Sequence, residues 1–304
     1  MLRIQAMQKL QTEFPKLVES LQTKIIQQMK VFDPTMTIIE DDWKRSDFFG
    51  NDGGGGKTRV MTGEVFENAG VNTSLVYGEI DPAFAKALGS EQSNQLWASG
   101  ISLIIHPKNP RIPTVHANFR MIELDGKLWF GGGADLTPFY PHEEDFSYFH
   151  SVWKKSLDPF GLYESFKKNC DEYFVNFHRD NEMRGIGGFF FDHFSLGDNQ
   201  KDFNFVKDVS SYFIESYFPI VEKRFKEKYT PEDEEFMLYR HGRYIEFNLL
   251  HDRGTLFGLK TNGRTDSIFV SLPARAKFTY KYAPKAESPH AKMMEYYRPF
   301  NWLA

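Results

Sequence analysis

The chain is predicted to be α+β, a large antiparallel β-sheet flanked by α-helices in a single domain. Short runs of alternating polarity are separated by the turn dipeptides Thr62-Gly63, Asp125-Gly126 and Asn262-Gly263, which suit hairpins and not crossovers. Two longer stretches with aromatics on one helical face interrupt those runs. No repeat, low-complexity tract or linker divides the 304 residues, a length that one core can serve.

Taken in order, residues 1–40 form an N-terminal helical segment. Leu10, Phe14, Leu17, Leu21 and Ile25 recur at helical spacing, with Pro15 as a start or a bend. Strands are expected from Lys57 onward. The most legible covers residues 114–124, where Val115, Ala117, Phe119 and Met121 share one face and His116, Asn118 and Arg120 the other. Helices follow over 143–179, broken at Asp158-Pro159, and over 203–228. Strands are predicted to resume at 243–250, 267–272 and 277–282, and an order of strands, helices, strands favours α+β.

Composition excludes several classes of function. The 37 Lys and Arg against 41 Asp and Glu leave a net charge of −4, so neither a nucleic-acid field nor a polybasic lipid arm is present. No apolar run approaches membrane-spanning length. The first 30 residues lack the apolar core of a secretory signal, and Glu13, Glu19 and few Arg do not suit an organelle presequence, so a cytoplasmic location is expected. The single cysteine, Cys170, excludes an internal disulfide, a Cys-ligated iron–sulfur cluster and a Cys₄ zinc site. The 30 Phe point to a Phe-rich core or a large apolar ligand site, and the core has the stronger prior.

Four blocks place glycine beside charge beside aromatic, and so suggest one pocket: 53–56, 131–135, 184–192 and 242–254. The outward face of 114–124 is either an ordinary solvated side or a site; a His, an Asn and an Arg at successive outward positions favour a site. Residues 242–255 read as a strand ending in Asp252 and Arg253. These are either a surface ion pair worth at most about 1 kcal/mol, or a desolvated pair in which Arg253 forks onto a carboxylate and Asp252 accepts N–H donors. Five residues separate Gly50 from Gly56-Lys57-Thr58 where a phosphate loop needs four, so a glycine-rich loop shaping a pocket is expected there. Phe190 stands where a dinucleotide fingerprint beginning at Gly185 needs its last glycine. His106, His116, His150 and His178 match no local zinc spacing; His178 suits a helix end, and His150 suits packing among Phe146, Phe149 and Trp153.

These blocks together resemble the oxygen-dependent coproporphyrinogen III oxidase family over about residues 43–302. The likeness is carried by Gly-Gly-Gly-Gly-Lys-Thr-Arg-Val (53–60), Phe-Glu-Asn-Ala-Gly-Val-Asn (66–72), His-Pro-Lys-Asn-Pro (106–110) and Pro-Thr-Val-His-Ala-Asn-Phe-Arg (113–120). It continues through Trp-Phe-Gly-Gly-Gly-Ala-Asp-Leu-Thr-Pro (129–138) and the blocks 184–192 and 242–255. The resemblance implies an oxidoreductase that uses dioxygen as co-substrate and requires no cofactor. It would decarboxylate two propionates of coproporphyrinogen III to vinyls, releasing protoporphyrinogen IX, carbon dioxide and hydrogen peroxide.

It also implies roles. Asp135 would hydrogen-bond the pyrrole N–H groups and take a proton, Asp252 with Arg253 would place or activate the reacting propionate, and His116 would donate a proton. Arg120 and Arg184 would bind carboxylates, while Ser102, Asn118, Phe119, Asn262, Gly263 and Arg264 would line the substrate site. His106, His116, His150 and His178 match positions proposed as ligands for a divalent metal in some members. The family works as a homodimer through a segment matching roughly residues 244–280. Two departures stand out: Asp180 and Asn181 both precede Glu182 where one residue is expected, and His193 occupies the place of a usual second Asp. A catalytically idle tetrapyrrole carrier would share the glycine and aromatic walls but would have little use for Asp135 and Asp252.

Overall fold

In the computed structural model, which describes residues 2–90, 92–260 and 263–304, an amphipathic helix precedes a long antiparallel meander. Helix α1 (Leu2–Phe32) runs through Pro15 without ending. It buries Leu10, Phe14, Val18, Leu21, Ile25 and Met29. That stripe steps by four, four, three, four and four residues, so packing on the sheet outweighs the one backbone hydrogen bond that proline forfeits.

Strands β1 (Thr37–Ser46), β2 (Asp52–Thr62) and β3 (Phe66–Glu79) lead through a short helix α2 (Pro82–Ala87) to β4 (Gln95–Pro107), β5 (Thr114–Leu124) and β6 (Lys127–Thr137). Each pairs antiparallel with its predecessor. The β5–β6 turn has positive φ at both Asp125 (55°) and Gly126 (70°), the backbone a two-residue hairpin needs and the reason this dipeptide was legible. The sheet starts earlier than expected. Gly53–Gly56, expected as a loop, lies inside β2 with partners on both sides, Trp43 opposite Gly56 and Leu75 opposite Gly55.

Helices α3 (Glu143–Leu157) and α4 (Tyr163–Tyr173) break at Asp158-Pro159 as expected, but regular helix ends at Tyr173, short of residue 179. Residues 175–183 instead form a two-stranded ribbon, β7 (Val175–Asn176) and β8 (Glu182–Met183). The unexpected pair Asp180 and Asn181 sits in its turn at φ 52° and 62°, a left-handed conformation these residue types tolerate. Strand β9 (Gly188–Phe194) then returns beside β6 and completes a seven-stranded sheet of order β1-β2-β3-β4-β5-β6-β9. Its edge is covered by α4, which removes an exposed ladder.

Helices α5 (Asn199–Ser211) and α6 (Phe213–Arg224) join α1 and α3 over one sheet face. Val115, Ala117, Phe119 and Met121 meet them there, in a core that takes in most of the buried phenylalanines.

The C-terminal third differs from expectation. Residues 243–250 are not a strand but the end of helix α7 (Pro231–Leu250), started by a Thr230–Asp233 capping box with Pro231 in its first turn. Residues 236–244 are buried without a break, and Arg240, His241 and Arg243 are among them, so no apolar stripe of helical period marks this helix in the sequence. Helix α8 (Arg253–Lys260) follows, and helix α9 (Thr265–Phe269) takes the place of the strand predicted at 267–272. Residues 277–282 are irregular, and α10 (Pro289–Tyr296) closes the chain. Gly263 therefore does not belong to a hairpin; its N–H closes onto the carbonyl of Gly258 at 2.8 Å. Among the described residues no helix is long and apolar enough to cross a membrane.

Candidate active site

Because residues paired directly across antiparallel strands share a face, the register sets three rows on the side of the sheet away from the main core. One row runs Gly70, Ile104, His116, Asp135, Gly188; the next runs Asn72, Ser102, Asn118, Gly133, Phe190. The third runs Ser74, Gly100, Arg120, Gly131. Glycines keep the floor low between the polar side chains, and the C-terminal end of α4, α7, α8 and α9 stand above it. Ser102 is exposed and Asn118 half-buried. The carboxamide oxygen of Asn118 has no protein partner although it is buried, as is true of Asn72 Oδ1 and Arg120 Nε. Unpaired buried polar atoms cost about 1–3 kcal/mol each, so the two amide oxygens favour an arriving donor and Arg120 Nε an arriving acceptor.

At one end of the groove lies a buried ion pair. Arg184 donates through Nη2 (2.7 Å) and Nε (2.9 Å) to the two oxygens of Asp135, and through Nη1 to Asn248 Oδ1 at 3.0 Å. The two side chains are 2% and 1% exposed, and the guanidinium rests against the rings of Phe174, Tyr244 and Phe247. Burial alone would raise the Asp135 pKa, but Arg184 and the His116 hydrogen bond outweigh it and hold the carboxyl below its usual range. An ionised carboxylate only accepts, so His116 Nδ1, 2.9 Å away, carries the hydrogen. The half-buried imidazole thus keeps Nε2 for the groove.

Asp135 Oδ1 accepts from both Arg184 and His116 and Oδ2 from Arg184, with the Asp135 side chain only 1% exposed, so Asp135 and Arg184 serve each other as an internal pair.

At the other end, β9 bulges. Asp192 and His193 both stand opposite Gly131. Asp192 Oδ1 accepts from Arg120 Nη2 at 2.8 Å, and its Oδ2 lies 3.7 Å from Arg253 Nη2. Gly131 leaves room for the pair, since a Cβ there would lie 2.5 Å from Arg120 Nε and 3.1 Å from Asp192 Oδ1 and would push those side chains apart.

Asp252 and Arg253 form neither a strand end nor an ion pair with each other. They make the α7–α8 corner, where Asp252 Oδ2 accepts the Thr255 N–H (2.7 Å) and caps α8 while Oδ1 accepts from Tyr173 Oη (3.0 Å). Tyr173 Oη in turn accepts the Arg253 N–H at 3.0 Å, and the Arg253 guanidinium, 63% exposed, lies over the Tyr173 ring. Burial and the adjacent Asp252 push the Tyr173 hydroxyl up to about 12, so it stays a donor. Tyr173 also stacks on Phe190 at 4.4 Å, making a flat aromatic wall.

Arg264 pairs with Asp41 of β1 and approaches Trp43, at the far rim. Helix α9 is tied to the sheet by polar contacts, Ser267 Oγ with Thr58 Oγ1 (2.9 Å) and Asn72 Nδ2 to Ser267 O (3.1 Å). Asn262 lies outside the described residues. Phe119 is corrected: its side chain faces the opposite core beside Phe189, not the groove.

The four candidate metal-binding histidines do not form a ligand set. His106 is bonded to Thr114 Oγ1 and Ser271 O, and His150 to Tyr163 Oη and Ile186 O, each through both ring nitrogens. His178, in a short 3-10 turn at 177–179, bridges Glu246 and the α7 C-cap residue His251, and His116 is held by Asp135. Among the described residues no three His, Cys, Asp or Glu side chains are arranged to hold an ion. His150 does pack beside Phe149, as its apolar surroundings implied.

Sequence reasoning missed Tyr173, Asn248 and Asn72. Asp192 was visible only as the charge closing the aromatic block. Tyr173 carries no local signal, because its partner Asp252 is 79 residues away.

An open antiparallel sheet that carries its polar groups on one face, under a cover of helices, defines an α+β enzyme whose site lies on the sheet and not at strand ends. The coproporphyrinogen III oxidase family model matches residues 13–302. The chain belongs to that family, whose enzymes decarboxylate coproporphyrinogen in porphyrin biosynthesis.

Proposed function

We propose that this protein is the oxygen-dependent oxidase, converting coproporphyrinogen III to protoporphyrinogen IX without a bound cofactor. The observation that supports it most is the convergence of His116 and Arg120 of β5 with Asp252 and Arg253 of the α7–α8 corner, two distant parts of the chain, on one glycine-floored, aromatic-walled groove. Each of two propionates, R–CH₂CH₂–COOH, reacts with one O₂ to give R–CH=CH₂, CO₂ and H₂O₂. Two electrons leave the side chain as the C–C bond to the carboxyl breaks, and they reduce dioxygen.

The protein binds and orients. Arg120 and Arg253 share one counter-ion, Asp192, so one positive charge remains to take a propionate by charge-assisted hydrogen bonds. Asp252 borders the reacting side chain and fixes its approach, braced by Tyr173 and the α8 N-terminus. Asn118 Oδ1 accepts a pyrrole N–H in place of Asp135. Asp135 acts through His116, setting its tautomer and leaving Nε2 to hold or supply a proton.

A homodimer formed through residues 244–280 accords with the exposed apolar side chains of that stretch, among them Phe278 (65%) and Tyr280 (85%).

The test is incubation of metal-chelated protein with coproporphyrinogen III in air and under anaerobic conditions, following protoporphyrin after oxidation of the product. Product formed only in air, with stoichiometric peroxide, is expected. Binding without turnover, with or without added metal, would replace the oxidase by a carrier.

A further inference from the structure

His193 lies on the groove rim in a conformation that ordinary packing does not require. Its φ is 50°, in the left-handed region that non-glycine residues rarely occupy. The β9 bulge places it beside Asp192, both opposite Gly131, and its N–H donates to Asp192 Oδ1 at 3.0 Å. Trp129 shares the sheet face of Arg120, two residues along from Gly131 and opposite Ile122. The His193 ring lies flat on Trp129, with centroids 5.2 Å apart and planes at 18°. The residue is exposed, yet its ring is held, and neither ring nitrogen has a protein partner among the described residues.

Asp192, which accepts the His193 N–H, is shared by Arg120 and Arg253, so two cations and one anion gather at this bulge. An N–H donor fixed beside that positive surplus is suited to a carboxylate. Building on the tetrapyrrole reading, we propose that His193 on its Trp129 platform is a further substrate-binding residue, taking a propionate at the groove rim and selecting macrocycles that carry a carboxylate there. The stacking holds the imidazole in place beforehand, so less side-chain freedom is lost on binding.

The test is a charge series at a position whose backbone suits small or Asx residues: His193→Gly, His193→Asn and His193→Asp in the full chain. Fluorescence quenching measures the affinity of each for coproporphyrin III, a tetracarboxylate that does not react. Loss of one charge-assisted contact at an open rim is expected to raise Kd roughly five- to tenfold in H193G. H193D should weaken binding further and H193N less, with melting temperatures together and the loss in turnover falling on KM and not on kcat. Equal affinities across the series would overturn the proposal, as would parallel losses of affinity and melting temperature, which mark a structural bulge. A wild-type protein that binds coproporphyrin III but does not oxidise coproporphyrinogen III sinks the oxidase reading, and the binding series still decides the role of His193. If the wild type turns over coproporphyrinogen III but does not bind coproporphyrin III, the same series is read from KM for coproporphyrinogen III, where equal values overturn the proposal.

Discussion

Replacing Arg184 by Met separates the role the resemblance implied for this arginine from the role its geometry gives it. The guanidinium supplies three hydrogen bonds inside the protein, two to Asp135 and one to Asn248, from a side chain only 2% exposed. Its removal leaves a buried carboxylate held by His116 alone and an amide oxygen without a donor. Breaking a buried pair from one side costs about 3–5 kcal/mol, a large part of the roughly 5–15 kcal/mol that holds a typical domain together. Chemical denaturation at neutral pH should therefore show R184M destabilised by about that amount. D135N/R184M, which removes both charges, should recover part of it, with a coupling energy of about 2–3 kcal/mol.

The pH dependence has a definite sign. In the native protein the Asp135 carboxyl titrates below 3.8, so the pair's stabilisation is complete above that value and is lost as pH falls through the lowered folded pKa. Without Arg184, burial drives the carboxyl upward instead, and the gap between variant and wild type narrows under acid. A substrate-binding arginine would behave otherwise. Loss of less than about 1 kcal/mol, with substrate affinity gone, would refute the internal-pair assignment.

Acid should also unfold the protein early. His150, held down to about 3, His241, held down to about 4, and His106, well below its ordinary 6.5, are kept neutral first of all by burial. The unfolded chain binds those protons below about 6.5, so each histidine removes about 1.4 kcal/mol per pH unit until its folded pKa is reached; urea midpoints that stay flat across that window would contradict this. Gly131→Ala places a Cβ 2.5 Å from Arg120 Nε, and should part the Arg120–Asp192 pair and raise KM for coproporphyrinogen III, whereas an unchanged KM would show that the pair plays no part in binding. Asp252→Ala removes the α8 cap and the Tyr173 acceptor, costing about 1 kcal/mol of stability but roughly a hundredfold or more in turnover. Normal turnover with Asp252→Ala or Arg253→Ala would end their assignment to the reaction.

Period and turn chemistry made the meander legible. β5 was readable to the residue because its two faces meet different surroundings, core on one side and groove on the other, and Asp125-Gly126 was readable because few dipeptides accept two positive φ values. Helix at 143–157 showed for the same reason, as did helix within the expected 203–228, where the structure has two, α5 and α6. The C-terminal third did not, because α7 is buried around much of its circumference and carries Arg240, Arg243 and Glu246 inside polar networks, which blurs the apolar stripe that marks a helix. The glycine run 53–56 misled in the opposite direction. Glycine discourages a strand on propensity, but here β1 and β3 approach closely on both sides and neighbouring strands supply the order.

What the sequence determined by itself was which residue types the protein brings to its chemistry: His116, Asn118 and Arg120 on one strand face, and the adjacent Asp252-Arg253, though at the end of a strand that proved to be a helix. These follow from spacing along the chain, which is local. Tertiary structure alone decided which of them face the groove and which face each other. It turned Arg184 and Asp135 inward as a mutually neutralising pair, since two buried opposite charges within hydrogen-bond reach are far more stable together than either is alone. It left Arg120 and Arg253 to share Asp192 at the rim, and it gave Asp252 a tyrosine 79 residues distant. Partners of that kind are set by the closing of the sheet and the seating of α7 upon it, and no spacing within the chain records them.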